Sequence, residues 1–282
     1  MSAAVGTHGV RDAGLDEALA LMSGARIGVL TGAGVSTDSG IPDYRGEGAP
    51  VRNPMTFSAF QSSELARKRY WAGSHLGWRS FGTASPNAGH GALVDLELAG
   101  HVTGVITQNV DGLHHRAGSR HVVDLHGSMD RVVCLDCGQQ YSRFAIADRL
   151  DELNPAFARP GAVRLAPDGD VEVEDVEAIV IPECEVCGGT LKPDVVFFGE
   201  FVPTDVFQAA ASIVRSSDVL LVAGSSLVVN SGMRLLEQAR RARMPIIVIN
   251  RGITKGDSRA TVKLDAGTTE TLTGIARHLL GD

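Results

Sequence analysis

The sequence predicts an α/β protein built on a doubly wound parallel sheet, with a second, smaller domain inserted into it. Four short runs rich in Val, Ile and Leu are typical of strands that are buried on both faces. These runs are Ile27–Leu30, Val102–Ile106, Val219–Val222 and Ile246–Ile249. Segments of helical character alternate with them: Asp16–Met22, Asn87–Leu98, Val206–Val214 and Gly232–Ala242. Such alternation predicts a parallel sheet with helices on both sides.

Two stretches interrupt this alternation and are interpreted as the smaller domain. Residues 46–84 look largely helical and hold both tryptophans, and residues 127–196 hold all four cysteines. The second stretch also contains a segment rich in Pro, Asp, Gly and Glu, from Asn154 to Glu177. The larger, Rossmann-type domain would then comprise residues 1–45, 85–126 and 197–282.

The composition is that of an ordinary globular protein, with 44% hydrophobic and 21% charged residues. The net charge of −7 disfavours nucleic acid as the main partner, because proteins that bind it usually carry a basic face. An acidic surface would attract a lysine-bearing peptide instead. The N-terminus lacks the apolar core of a signal peptide, and no apolar run approaches the roughly 18 residues of a membrane span. We therefore expect a cytoplasmic protein with no membrane contact.

Small or polar residues follow each of the four predicted strands directly. In open α/β sheets, ligands bind outside the carboxyl ends of the strands, so these four clusters can meet in one crevice. The clusters begin at Thr31, Thr107, Ala223 and Asn250. Their convergence predicts a nucleotide site.

The segment Gly32–Gly46 is the first candidate for binding phosphate. Gly32 and Gly34 follow a strand, where backbone amides at a helix start can hold a pyrophosphate. Glycines at this point also serve tight turns, and the usual third Gly or Ala of the dinucleotide fingerprint is replaced by Thr37. Asp43 and Arg45 supply charges of both signs that a turn does not need. The whole segment therefore favours a loop that folds over a cofactor.

Amide and carboxylate side chains follow the second predicted strand. Gln108, Asn109 and Asp111 suit ribose hydroxyls and a carboxamide. Helix capping is the alternative, since Asn and Asp are favoured N-caps, but it is an unlikely role for all three together.

One histidine is a candidate general base. His126 follows the short apolar run Val122–Val123 and precedes a glycine, which predicts an exposed position at a strand end. A lone histidine is more often structural. His114, His115 and His121 have no comparable setting and are predicted to lie at the surface.

The four cysteines form two C-x-x-C pairs, each followed by glycine, as in zinc knuckles. Two knuckles predict one closed tetrahedral site, and the zinc would therefore be structural, in a zinc ribbon. A redox pair explains two such units poorly. The ligands would be Cys134, Cys137, Cys184 and Cys187, with an unusually long spacer of 46 residues between the pairs.

Two further segments suggest a peptide site. Lys192–Glu200 has the apolar core of a buried strand, and Gly224–Val229 combines a phosphate-type loop with an exposed apolar tip. An extended stretch near either could accept a peptide by strand addition.

Together these segments resemble the sirtuin family, in the family order and over roughly residues 20 to 280. The resemblance implies an NAD-dependent protein lysine deacylase that transfers the acyl group to ADP-ribose and releases nicotinamide. The acyl-lysine carbonyl oxygen would attack the ribose carbon bearing nicotinamide. His126 would act as general base on a ribose hydroxyl, and Asn109 would orient the ribose and a water.

The resemblance also implies the residues that bind each substrate. The NAD-binding set would be Gly32, Ala33, Gly34, Ile41, Asp43, Tyr44, Arg45, Gln108, Asp111, Gly224, Ser225, Ser226, Asn250 and Arg251. Within it, Asp111 and Ile41 would hold the carboxamide. The acyl-lysine set would be Val196, Phe197, Phe198, Gly199 and Val228, with Tyr44 beside Val196 in the acyl tunnel.

Two departures from most relatives resemble the class II branch. They are Tyr44, where Phe is usual, and the long spacer between the cysteine pairs. That branch includes a mitochondrial sirtuin with weak deacetylase activity and with lipoamidase and ADP-ribosyltransferase activities. The Tyr-x-x-Arg pair that reads acyl carboxylates is absent, since Tyr70 is followed at that spacing by Gly73. As a hypothesis, residues 154–177 fold over the acyl pocket and tune chain length.

Four alternatives remain at this point. A protein ADP-ribosyltransferase or a lipoamidase-like deacylase shares the NAD-cleaving step. An NAD-linked oxidoreductase would use the same crevice for hydride transfer. A non-catalytic zinc-ribbon module would not need polar clusters at four strand ends.

Overall fold

The computed structural model describes residues 13–43, 54–155 and 176–281. Its larger sheet has six strands, all parallel, in the order β3-β2-β1-β7-β8-β9. Their bounds are Ile27–Thr31 (β1), Val102–Thr107 (β2), Val122–Asp124 (β3), Val219–Ala223 (β7), Ile246–Ile249 (β8) and Val262–Leu264 (β9). The order is that of a dinucleotide-binding Rossmann sheet, and the predicted fold class is confirmed.

Helices cover both faces of this sheet, as buried strands require. One face packs against α1 (Ala13–Met22), α4 (Ala88–Leu98) and α9 (Thr268–Leu280). The other face packs against α7 (Thr204–Arg215) and α8 (Asn230–Arg241). The four predicted helices in this part of the chain are all present, with ends that differ from the predicted ones by at most three residues.

A second, antiparallel sheet with the order β5-β4-β6 forms a separate layer. Its strands are Gly127–Cys134 (β4), Gln140–Ser142 (β5) and Leu191–Val195 (β6). The helices α2 (Phe57–Ser62), α3 (Glu64–Thr83) and α6 (Arg143–Leu153) accompany it. Their apolar side chains form one cluster with the sheet, built on Phe60, Tyr70, Trp71, Val132 and Ile146. The domain bounds drawn from the sequence are kept as our proposal.

Two connections place residues at the junction of the two sheets. The turn between β3 and β4 carries His126, and α5 (Leu113–Ala117) follows β2 at the same edge. A backbone hydrogen bond links the two sides of this junction, since Val196 N–H donates to the His126 carbonyl at 2.9 Å. Among the described residues, no helix has both the length and the apolar character to cross a membrane.

Candidate active site

A cleft of about 1660 Å³ opens where β1 and β7 lie side by side, at their carboxyl ends. This is the point at which the strand order reverses, where ligands bind in open α/β sheets. Most of the predicted site residues line it: Gly32, Ala33, Gly34, Asp43, Gln108, Asn109, His126, Val196, Phe197, Phe198, Gly199, Gly224, Ser225, Ser226, Val228, Asn250 and Arg251. The four polar clusters therefore do meet, because β2, β1, β7 and β8 are consecutive neighbours.

The glycines at the two central strand ends allow two loops to touch. Gly34 N–H donates to the Gly224 carbonyl at 2.9 Å, and Gly224 has a φ of +64°. A Cβ on Gly224 would lie 2.5 Å from the Val35 nitrogen, and one on Gly34 would lie 2.8 Å from Gly224 Cα. Glycine at both positions is thus required by close backbone approach. Gly32 N–H also donates to the Ala223 carbonyl at 3.1 Å, so the two glycine amides hold the loop against the end of β7.

A hydrogen-bonded polar cluster lies behind the glycine loop. Ser36 Oγ donates to Asp111 Oδ2 at 2.7 Å and accepts from Asn109 Nδ2 at 3.1 Å. Asn109 Nδ2 also donates to the Gly32 carbonyl at 3.1 Å, which leaves its Oδ1 for a ligand donor. Asp111 is 7% exposed, and burial raises its carboxyl pKa against the opposing effect of bonds from Leu113 N–H and Ser36. Ser36 therefore holds in place both Asn109, which is predicted to bind the ribose, and Asp111, which is predicted to bind the carboxamide.

His126 has a defined tautomer. Its Nδ1 lies 3.0 Å from the Gln108 carbonyl oxygen, which can only accept, so Nδ1 carries the proton. Its Nε2 lies 2.8 Å from Ser231 Oγ and is therefore the acceptor of that bond. The imidazole is partly buried, and the sequence-based prediction of an exposed histidine is wrong in this respect. Burial lowers the His126 pKa below its ordinary value, so the ring is neutral at pH 7 and can act as a base.

The wall opposite the glycine loop is apolar and extended. Residues 195–199 continue β6 past the cleft, and Phe57 N–H donates to the Phe198 carbonyl at 3.0 Å. Lys192 anchors this segment by donating to the Val195 carbonyl at 2.6 Å and to Glu200 Oε2 at 3.0 Å. Glu200 Oε2 also accepts from Phe197 N–H at 2.9 Å. These hydrogen bonds hold residues 195–199 in place, so that the segment offers an extended backbone edge beside His126.

The four cysteine thiols come together at one point, all within 4.8 Å of one another. Cys134 Sγ lies 3.6 Å from Cys187 Sγ, and Cys137 Sγ lies 3.7 Å from Cys184 Sγ. A tetrahedral Zn²⁺ with Zn–S bonds of about 2.3 Å requires S···S separations of about 3.8 Å. The donor set and spacing fit a structural zinc, and the cysteines form no disulfide. The ion would bind β4 to the loop before β6.

Some predicted site residues do not line the cleft. Ile41 is 2% exposed and packs against Leu113, and the buried Asp111 faces Ser36. Tyr44 and Arg45 lie outside the described residues, as do positions 156–175 of the stretch proposed to fold over the acyl pocket.

Sequence reasoning missed two serines at this site. Ser36 lies within the glycine segment, and Ser231 is the second residue of α8, which follows the Gly224–Val229 segment. Their positions next to predicted motifs were the available signal.

The prediction that His114 lies at the surface is wrong, whereas His115 and His121 are exposed as expected. His114 Nε2 bonds to Thr31 Oγ1 at 2.9 Å, and its ring lies 4.8 Å from that of His90. Among the described residues, His114 Nδ1 and His90 Nε2 have no hydrogen-bond partner. Burial lowers the pKa of His114 to about 3 and that of His90 to about 4.

These two histidines predict an acid-sensitive fold. Their pKa values rise towards 6.5 on unfolding, so the unfolded chain binds more protons below that pH. The contribution of these two histidines to the free energy of unfolding should therefore be complete above pH 6.5. Below that pH, the free energy of unfolding should fall by about 1.4 kcal/mol per histidine for each pH unit, down to about pH 4. Urea denaturation at a series of pH values measures this slope. The variant His114→Gln should show a shallower slope, and an unchanged slope would contradict the assignment.

Comparisons with known proteins agree with this geometry. The model of the Sir2 family matches residues 32–231. The chain is 53% identical over 267 residues to the NAD-dependent protein deacetylase 1 of Mycobacterium avium (strain 104), covering 93% of this chain and 95% of that protein. It is 46% identical over 248 residues to the NAD-dependent protein lipoamidase sirtuin-4, mitochondrial, of Bos taurus, covering 86% and 78%. The chain therefore belongs to the Sir2 family.

A solved structure of Sir2 with a p53 peptide and NAD+ has the same fold. It superposes with a TM-score of 0.75 at 29% sequence identity, covering 95% of this chain and 99% of that one.

Proposed function

We propose that this protein is an NAD-dependent protein lysine deacylase, with acetyl-lysine among its substrates. The observation that carries the proposal is the cleft itself: a neutral histidine with its Nε2 towards the cleft lies between a glycine loop and an anchored extended edge. Relatives at 51% and 47% identity share the name NAD-dependent protein deacetylase with the Mycobacterium avium protein. NAD is consumed in this reaction and is a substrate.

Each wall of the cleft has a proposed role. The Gly32–Gly34 loop holds the pyrophosphate through the Ala33 N–H, because the Gly32 and Gly34 N–H groups donate to the Ala223 and Gly224 carbonyls. Ser225, Ser226, Asn250 and Arg251 hold the adenosine half. Asn109 orients the nicotinamide ribose. Asp111 and Ile41 are buried and do not line the cleft, so they would hold the carboxamide only after nicotinamide displaces the side chains that cover them. His126 Nε2 takes a proton from a ribose hydroxyl.

The acyl-lysine enters from the other wall. The peptide binds as an added strand against Val196 to Gly199 and Val228. The bonds of Lys192 to Val195 and Glu200 hold the 196–199 segment in place for this role. Met55, Tyr70 and Val110 line the same cleft and provide apolar surface for the acyl chain. An uncharged acyl group is therefore favoured over one that carries a carboxylate, in keeping with Gly73 at the position of the carboxylate-reading arginine.

The cytoplasmic location stays a prediction.

Nicotinamide release with a panel of acyl-lysine peptides tests the proposal. We expect release that depends on the acyl peptide, with loss of the acyl mass, for acetyl, octanoyl and lipoyl groups and little for succinyl. Release with ADP-ribose added to a protein would indicate a transferase. A change in nicotinamide absorbance with a reducible substrate would indicate an oxidoreductase, and no release from zinc-loaded protein would overturn the proposal.

The lipoamidase-like alternative is supported by the similarity to bovine sirtuin-4 and by the two features shared with the class II branch. Faster removal of lipoyl than acetyl in the same panel would decide for it.

A further inference from the structure

The His126 base has only one lone pair, and in this structure that lone pair is occupied. A neutral imidazole offers one donor and one acceptor nitrogen. The Gln108 carbonyl oxygen fixes Nδ1 as the donor at 3.0 Å, which leaves Nε2 to accept. Ser231 Oγ lies 2.8 Å from Nε2, so the serine hydroxyl donates its only proton to the base.

The packing of α8 places Ser231 in this position. Ser231 is the second residue of α8 and is 7% exposed. A Cβ on the next residue, Gly232, would lie 2.8 Å from Gln108 Nε2, so the first turn of α8 can approach Gln108 closely only with glycine there. Ser225 Oγ donates to Gln108 Oε1 at 2.5 Å and holds the same side chain from the other side. Gln108 thus orients His126 through its backbone and positions α8 through its side chain.

A substrate hydroxyl that transfers its proton to Nε2 must approach along the same lone pair. It cannot do so while the Ser231 hydroxyl is in place, since an sp² nitrogen accepts one strong hydrogen bond. The serine can leave without moving the helix, because rotation about its χ1 angle reaches other staggered rotamers.

We propose that the Ser231 hydroxyl caps the His126 base in the free enzyme and that a ribose hydroxyl of the bound substrate displaces it. Ser231 is then a positioning residue of the reaction, because it acts through His126. This inference rests on the proposed function for the identity of the displacing group. The cap itself does not depend on that function.

The charged groups on the elements around His126 are engaged elsewhere and do not replace the cap. Each has a partner of its own. Arg234 stacks on Phe207 at 4.0 Å, Asp124 pairs with His115 and Arg131, Asp194 pairs with Arg131, Asp130 accepts from Trp78, and Asp111 accepts from Ser36.

The first test is the His126 pKa in the free protein, followed by NMR of isotope-labelled histidine. A donor on Nε2 stabilises the neutral ring, so Ser231→Ala should raise the pKa by on the order of half to one pH unit. Ser231→Thr keeps a hydroxyl and should restore the original value. Ser212→Ala, an exposed serine on α7, is the matched control and should change nothing. An unchanged pKa in Ser231→Ala would overturn the cap.

The second test adds saturating ADP-ribose, which retains the ribose hydroxyls. If they displace the serine, the pKa difference between the native protein and Ser231→Ala should vanish. In kinetics, the acidic limb of kcat/KM should move to higher pH in Ser231→Ala, whereas the limb of kcat should stay in place. Bound ADP-ribose with a persistent difference would overturn the displacement alone. Failure of ADP-ribose to bind would overturn the displacement and the proposed function together.

Discussion

Replacing His126 with alanine should lower the rate of acyl removal by about 10²- to 10⁴-fold, the usual contribution of a general base. The loss should appear mainly in kcat, because the glycine loop and the extended edge that bind the two substrates are unchanged. Stopped assays that count nicotinamide and deacylated peptide measure it.

Two controls separate chemistry from folding for this variant. His278→Ala changes an exposed histidine on the last turn of α9 and should keep full activity. The melting temperature of His126→Ala should remain close to that of the native protein, since the ring is only partly buried. Full activity in His126→Ala would remove His126 from the mechanism.

Removing the zinc should unfold the smaller sheet. The ion would bind four thiols that lie within 4.8 Å of one another and form no disulfide. Structural zinc contributes its binding free energy to folding, so Cys184→Ser or a strong chelator should cost several kcal/mol. The melting temperature should fall by on the order of 10 °C. Hydrogen exchange should show loss of protection in β4 and β6 and little change in β1 and β7.

Metal analysis provides the control for the zinc prediction. The native protein should contain one zinc per chain, and adding zinc back after chelation should restore the melting temperature. A metal-free native protein with the same stability would contradict the site. A melting temperature that responds to reductant and not to chelator would indicate a redox pair instead.

Much of the fold follows from the sequence because its central strands are fully buried. Runs such as Ile27–Leu30 and Ile246–Ile249 have no polar side chain, which is typical of strands buried on both faces of a parallel sheet. The short edge strands β3 and β9 carry weaker signals, since each has only three residues. The strand order is a tertiary property, and four strand ends did not by themselves show which would be neighbours.

The site was predictable where a residue type is itself chemically informative, as for the paired cysteines and His126. It was not predictable where the role depends on packing. Ser36 and Ser231 are ordinary loop and helix-start residues until Asp111, Asn109 and His126 are placed beside them. His114 is buried only because α5 packs on the end of β1, where Thr31 meets its ring.

The stoichiometry of nicotinamide release to acyl removal tests the central claim most directly. Both products should be counted in one reaction of native protein, NAD and acetyl-lysine peptide. If the cleft joins the two substrates in one reaction at His126, one nicotinamide should be released for each acetyl group lost, and the acetyl group should be recovered on ADP-ribose. Acetyl loss as free acetate without nicotinamide, or nicotinamide release at the same rate without peptide, would contradict the account.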